Sequence, residues 1–443
     1  MKKGFHCVIL FFGEKTGETV SPKHEGRIPM SNDTTVSKKV QVQIKKFSSH
    51  LARGLSKPKK RFLTQVIYGI QASRDIKLSN ISRSLEEEIR LIKTENRLSR
   101  HITSKDLTGH INNKLIEEAS WRIKEDTVLA LDLSDINKPF GKKMEKLGHV
   151  WNGSEGEVGK GYWICEIIAA GVKEENPMPV YSELYSHEEE GFESENHKIL
   201  NAVSAVDKHT KGRGIWTIDR GGDRGILVEE LDKMHQRFVI RCVGSRDFKD
   251  ESGRTKKVDS ILKTIEYSES YKIEIDKEGY TETIELELGR RDNLWIGEVR
   301  VSLIVIKGFS SVPMLLITNV DKSPRELLEI YLTRWKCEES FRFLKHEYNL
   351  EDVRVRRYIA LRNTVALVHA VFYFLSIYLG RSLKMKILLH KIIQKAKRFF
   401  QIPSFKHYAV ADGIFRLLFN IKWDTGDIKT EEKDRNQLTF GFI

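Results

Sequence analysis

Between Thr127 and Arg241, short apolar segments alternate with helical ones, and two of the apolar segments end in aspartate. Thr127-Val128-Leu129-Ala130-Leu131 reads as a buried strand closed by Asp132. Gly161 to Val172 and Pro179 to Tyr185 read as two further strands, and Glu195 to Val206 as a helix. Gly214-Ile215-Trp216-Thr217-Ile218 is a fourth strand closed by Asp219, a helix follows over Gly225 to His235, and Phe238-Val239-Ile240-Arg241 is a fifth strand. Short, almost unbroken apolar runs of this kind suit strands covered on both faces, so the pattern predicts an α/β layer structure.

The alternation breaks from about residue 249 to 300, where charged segments of period two (Tyr271 to Ile275, Thr281 to Leu288) predict a β-rich insertion that leaves the core and returns at Val301–Ile306. Pro313 to Thr318 is the next strand. After it, Ser323-Pro324-Arg325-Glu326 forms a capping box with proline at the first helical position, so a helix starts there. With about 100° per residue, Tyr331, Arg334, Glu338 and Lys345 fall within roughly 60° of one another on this helix. Ile330, Cys337, Phe341, Leu344 and Tyr348 form an apolar stripe beside them. An ordinary amphipathic helix with a solvated charged face has the same layout. A carboxylate between two cations also suits a metal held over a phosphodiester.

The spacing Tyr331-x2-Arg334-x3-Glu338-x6-Lys345 resembles the signature around the catalytic glutamate of bacterial insertion-sequence transposases of the IS-four family. The resemblance extends to Ala130-Leu131-Asp132-Leu133-Ser134, to Thr217-Ile218-Asp219-Arg220-Gly221-Gly222-Asp223, to Gly161-Tyr162-Trp163 and to the strand ending in Arg241, and so spans roughly residues 125 to 355. It implies an RNase H-like core in which Asp132, Asp219 and Glu338 are the catalytic residues and the ligands of Mg²⁺, two ions per site with Mn²⁺ as a substitute. Two divalent ions roughly 4 Å apart activate the attacking oxygen and stabilise the leaving one, and magnesium prefers carboxylate oxygen. Asp135, Asp223 and Glu339 are the competing ligands. The resemblance also implies that Arg334, Lys345, Tyr331 and Arg241 contact DNA. Met314 stands where some relatives carry a base-stacking tryptophan, so stacking falls to Trp335 or Trp295. The expected activity is cleavage at transposon ends and joining of the freed 3′-hydroxyl to target DNA, with two ends held in a homodimeric synaptic complex. An RNase H-like nuclease or resolvase without strand transfer, or a domesticated non-catalytic DNA-binding protein, would share many of these features.

The formal net charge of +13 over 443 residues favours a polyanionic partner. Much of it sits between Ser31 and His110, with 17 Lys and Arg against 7 Asp and Glu. There Phe62, Leu63, Val66, Ile67 and Ile70 recur at helical spacing, Lys77 to Arg83 reads as a turn and helix start, and Ile89 to Leu98 as a further helix, an order that suits a helical DNA reader or a basic bundle that merely packs on the rest. The expected division is 1–29 as an unstructured or misannotated extension, 30–115 as the DNA-binding unit, 116–248 and 301–355 as the two parts of the core, 249–300 as the insertion and 356–443 as a C-terminal helical region. Cys7, Cys165, Cys242 and Cys337 are scattered and read as core thiols in a reducing compartment. Thr364 to Gly380 is apolar but contains His369 and is barely long enough to span a bilayer, so it reads as a buried helix, and the chain as a cytoplasmic, nucleoid-associated protein with no membrane partner.

Overall fold

The computed structural model describes residues 31–152, 156–172, 176–277, 280–399, 402–419 and 421–424. The expected extension over 1–29 and Cys7 lie outside these residues; Cys165, Cys242 and Cys337 are buried free thiols. Five helices open the described chain: α1 (Ser31–Leu51), α2 (Lys57–Ser73), α3 (Leu78–Ser84), α4 (Leu91–Thr103) and α5 (Thr108–Ala119). The strands β1 (Val128–Asn137), β2 (Gly148–Asn152), β3 (Glu157–Ala170) and β4 (Met178–Tyr185) follow. Next come α6 (Glu195–Thr210), β5 (Ile215–Ile218), α7 (Gly225–Lys233) and β6 (Phe238–Arg241). The middle segment contributes β7 (Asp247–Lys249), β8 (Thr255–Lys257), α8 (Val258–Leu262), β9 (Tyr267–Lys277), β10 (Tyr280–Ile296), β11 (Val299–Lys307) and β12 (Met314–Thr318). The chain closes with α9 (Pro324–Leu332), α10 (Trp335–Glu347), α11 (Tyr358–Ser376), α12 (Leu383–Ile393) and α13 (His407–Leu418).

The strands form one mixed sheet in the order β2-β3-β1-β5-β6-β12-β11-β10-β7-β8, with β4 on β3 and β9 on β10. β1, β5 and β6 are parallel, while β3 is antiparallel to β1 and to β4. Residues 249–300 therefore do not leave the core: β10 pairs with β11, β11 with β12 and β12 with β6, so the charged strands extend the same sheet. Their outer residues are exposed, which is why they show period two while the central strands do not.

β1 is longer than expected. It pairs with β5 only from Val128 to Leu131, then continues to Asn137 against β3, so that Asp132 lies within the strand. Gly161 of β3 pairs with Asn137 on one side and Gly148 on the other, and a Cβ there would come within 2.2 Å of the Ile136 carbonyl oxygen. Only glycine fits where three strands meet so closely.

By strand alternation, Val128, Asp132, Ile215 and Asp219 share one face of the sheet. Leu327, Leu328, Ile330 and Tyr331 of α9 pack there with Val128, Ile215, Val239 and Leu316. Trp216 and Ile218 face the other way and join Leu227, Val228 and Leu231 of α7 in the main core. α11 is buried almost throughout. With the turn after it, it is the one helix among the described residues that is long and apolar enough to cross a membrane, and 89% of that window lies inside the protein. The first and last helices meet around it. Glu347, at the end of α10, is ion-paired with Arg74 Nε at 2.6 Å and accepts from Arg398 Nη2 at 2.7 Å, and Arg416 holds Asp412 of α13 at 2.9 Å.

The crowding at Gly161 yields a direct expectation. Gly161→Ala should lower stability by about 1–3 kcal/mol through overpacking. The urea midpoint should drop at unchanged slope.

Candidate active site

Two strands and one helix position the acidic residues. Parallel pairing of Leu131 with Ile218 sets Asp132 and Asp219 side by side where β5 ends. Asp219 then turns the chain: its Oδ1 accepts from Gly221 N at 2.9 Å. A Cβ on Gly222 would meet Ile218 Cγ2 at 2.4 Å, so the turn behind Asp219 also needs glycine.

The signature segment is not one regular helix. The capping box on Ser323 and Glu326 starts α9 as expected. At Thr333 and Arg334 the pairing tightens: Arg334 N donates to Tyr331 O, Lys336 N to Thr333 O and Cys337 N to Arg334 O. The Thr333 hydroxyl satisfies the Glu329 carbonyl at 2.8 Å. Such a three-residue turn between two α-helical stretches re-aims the side chains that follow.

Arg334 is thereby brought between two of the carboxylates. Its guanidinium lies 3.3 Å from Asp132 and also pairs with Glu338, with side-chain exposures of 11% for Arg334, 17% for Asp132 and 34% for Glu338. Burial works against the charge of Arg334, but Asp132, Tyr331, Glu338 and Asp219 outweigh it and raise its pKa above the ordinary value. Burial pushes the Asp132 carboxyl up to about 7; Arg334 opposes this, while Asp219, Glu338 and Glu166 add to it. Tyr331 is buried, and burial raises its phenol while Arg334 and Arg241 hold it down.

The other residues singled out in the sequence separate. Lys345 pairs with Glu351 at 3.1 Å. Trp335 and Trp295 are half-buried. Asp135 points to the opposite face of β1 from Asp132. Asp223 is buried against Arg246 and accepts from Val243 N at 2.7 Å, so its carboxylate anchors a loop. Glu339 pairs with Arg342 at 2.5 Å. The sequence reading did not single out Glu166, which lies directly opposite Asp132 in the β1–β3 ladder. Its Oε1 is 3.0 Å from Nδ1 of His369 on α11, and both side chains are fully buried. A charged residue inside the apolar run GYWICEIIAAGV was the available signal.

Divalent metal can be weighed against this geometry. Among the described residues no group of three His, Cys, Asp or Glu side chains is gathered closely enough to hold a metal ion. The donors are nevertheless hard carboxylate oxygens on rigid elements, and a cation, the Arg334 guanidinium, already stands between two of them. Donor type therefore fits magnesium, provided Arg334 yields its place.

Residues 190–375, less than half of the chain, match the family model described as a transposase DDE domain. That span includes Asp219 and Glu338 but not Asp132. Among solved structures, the chain is similar to piggyBac transposase in the cryo-EM structure of its synaptic complex with hairpin DNA, with 11% sequence identity and a TM-score of 0.40 over 80% of this chain and 78% of that one. No curated protein matches. The family match makes a transposase DDE domain the class of domain that this part of the chain resembles.

The raised Asp132 pKa makes the metal-free protein sensitive to pH. An aspartate is normally half-ionised near pH 3.9, so between about 4 and about 7 the folded chain holds a proton that the unfolded chain has lost. The Asp132 contribution to stability should be full below that window and fall as pH rises through about 7, by about 4 kcal/mol at most. Asp132→Asn should flatten this part of the stability profile, measured by urea unfolding between about pH 5 and about pH 8 in chelator.

Proposed function

We propose that the protein is an insertion-sequence transposase of the IS-four type, which cleaves the ends of its element and joins the freed 3′-hydroxyl to target DNA. The observation that carries this reading is Arg334 held between Asp132 and Glu338, with Asp219 beside Asp132 at the end of the adjacent strand. The order β4-β3-β1-β5-β6, with β3 alone antiparallel, supports an RNase H-like layout. The signature spacing and the DDE-domain match add to it.

On this reading Asp132, Asp219 and Glu338 hold Mg²⁺, which when bound supplies activation of the attacking oxygen and charge neutralisation at the leaving one. The rest is the work of the chain. Arg334, released from Asp132 and Glu338, offers a planar fork to a phosphate. Tyr331 and Arg241 lie close enough to sense each other's charge beside Asp219 and would steady the strand being cut. Lys345, turned towards Glu351, would serve DNA only after leaving that partner.

The N-terminal helices would carry duplex binding. A cavity of about 500 Å³ is lined by Ser56, Pro58, Lys59, Arg97, Arg100, His101 and Ser104. Burial lowers the His101 pKa most, and the positive charges of Lys59, Arg97 and Arg100 lower it further. Synapsis by a homodimer and capture of target DNA belong to the same proposal.

Asp132→Ala, Asp219→Ala and Glu338→Ala should each reduce cleavage of DNA carrying the element's ends at least about a hundredfold while duplex binding persists. Arg334→Lys should not restore the wild-type rate, because lysine lacks the bidentate fork. Lys59→Ala combined with Arg100→Ala should weaken duplex binding and flatten its salt dependence by about two phosphate contacts, read by fluorescence anisotropy at several salt concentrations.

A further inference from the structure

β1 runs past the carboxylates. Beyond Leu131 its neighbour β5 ends, and residues Leu133 to Asn137 continue outward against β3. The segment 138–147 hangs from this extension and is firmly tied down. Lys138 Nζ donates to the carbonyls of Glu351 and, at 2.9 Å, of Val353. Tyr162 donates to the Glu145 carbonyl at 2.6 Å, and Glu145 N to the Arg356 carbonyl at 2.9 Å. Tyr358 N adds a bond to the Glu145 carboxylate at 2.9 Å. Inside the segment, Gly141 N closes on Lys138 O at 3.0 Å and Met144 N on Gly141 O at 2.9 Å.

At the crest of this pinned turn stands Phe140, 93% exposed, the most exposed large hydrophobic side chain among the described residues. Lys142 and Lys143 beside it are exposed and form no ion pair among the described residues. Single apolar side chains on a surface are common and need no explanation. Here the ring is held on a hydrogen-bonded turn, with two exposed lysines just after it, at the end of the strand that carries Asp132.

We propose that Phe140 is a stacking platform for an unpaired DNA base, with Lys142 and Lys143 holding the adjoining phosphates. The inference rests on the DNA-cleaving reading above and extends it to a residue outside the carboxylate cluster. A base offers a flat apolar face and its backbone offers anions, which is the complement of a phenyl ring followed by two exposed lysines. Trp335 and Trp295 expose less of their rings, so Phe140 takes the stacking role that the sequence alone assigned to them. The position suits a strand that passes over the carboxylates and leaves along the β1–β3 extension. A protein surface could also cover Phe140, but the free lysines favour a polyanion.

The test compares two labelled duplexes, one fully paired and one with a single unpaired adenine, by fluorescence anisotropy in chelator so that nothing is cut. The wild-type protein should prefer the bulged duplex by about tenfold. Phe140→Ala should abolish that preference while leaving affinity for the paired duplex unchanged, and Phe140→Trp should keep it. Lys142→Ala with Lys143→Ala should weaken both duplexes alike. The ring is exposed, so each variant should keep the wild-type melting temperature. Equal wild-type affinity for both duplexes, or a preference that survives Phe140→Ala, overturns the inference alone. Loss of self-association in Phe140→Ala without any change in bulge preference overturns it in favour of a protein contact. A wild-type protein that binds neither duplex overturns the DNA-cleaving reading and the inference together.

Discussion

A guanidinium held between carboxylates organises the centre of this molecule. Three acidic side chains brought to one face of a sheet repel one another, and burial adds a desolvation cost to each charge. Arg334 opposes both terms at Asp132, where burial still prevails, and pairs with Glu338. Its reach depends on the tightened turn at Thr333, which sets α10 off from α9 and lets one residue serve a strand and a helix together. The arrangement is costly in isolation, since two well-packed apolar residues would often be as stable as a buried ion pair. Retaining it is sensible where a cation must be exchanged for another in the course of function.

The same face carries a second buried pair. Glu166 and His369 tie β3 to α11 directly across the ladder from Asp132, and Glu166 Oε2 and His369 Nε2 are buried without hydrogen-bond partners. Leaving such atoms unsatisfied opposes folding. Glu166 adds negative potential beside Asp132. Stability is therefore spent in the layer where the acidic residues gather, while the opposite face, under α7, is packed with plain aliphatic and aromatic side chains.

Much of the central sheet was readable because its strands are apolar on both faces. β6 matches its sequence boundaries, and β4, β5 and β12 lie within one residue of theirs. The run of β1 beyond Asp132 was not readable: Leu133-Ser134-Asp135-Ile136-Asn137 is half-exposed and mixes polar with apolar residues, so no hydrophobic signal marks it as strand. Local pattern also could not tell an insertion from an extended sheet, since strand partners are non-local and β10 finds β11 only through the fold. For the candidate site, the spacing of Tyr331, Arg334 and Glu338 was visible in one dimension. That Lys345 turns to Glu351 was not, because its partner lies past the end of α10 in a short 3-10 turn. Asp223 and Glu339 stood in the sequence as competitors of Asp219 and Glu338, and no local pattern showed that Arg246 and Arg342 hold them.

The cluster that joins Arg74, Glu347, Arg398 and Asp412 bears on how the chain is made. These four residues come from the C-cap of α2, the end of α10, the segment after α12, and α13. Glu347 is almost fully buried, so before Arg74 and Arg398 are both in place the end of α10 carries an uncompensated charge. Arg74 leaves the ribosome long before Arg398, so the end of the helix that bears Glu338 gains its second counter-ion only after Arg398 has emerged. Long-range closure of this kind makes folding slow and late. A chain interrupted before Arg398 would therefore leave the buried Glu347, at the foot of that helix, with one counter-ion in place of two.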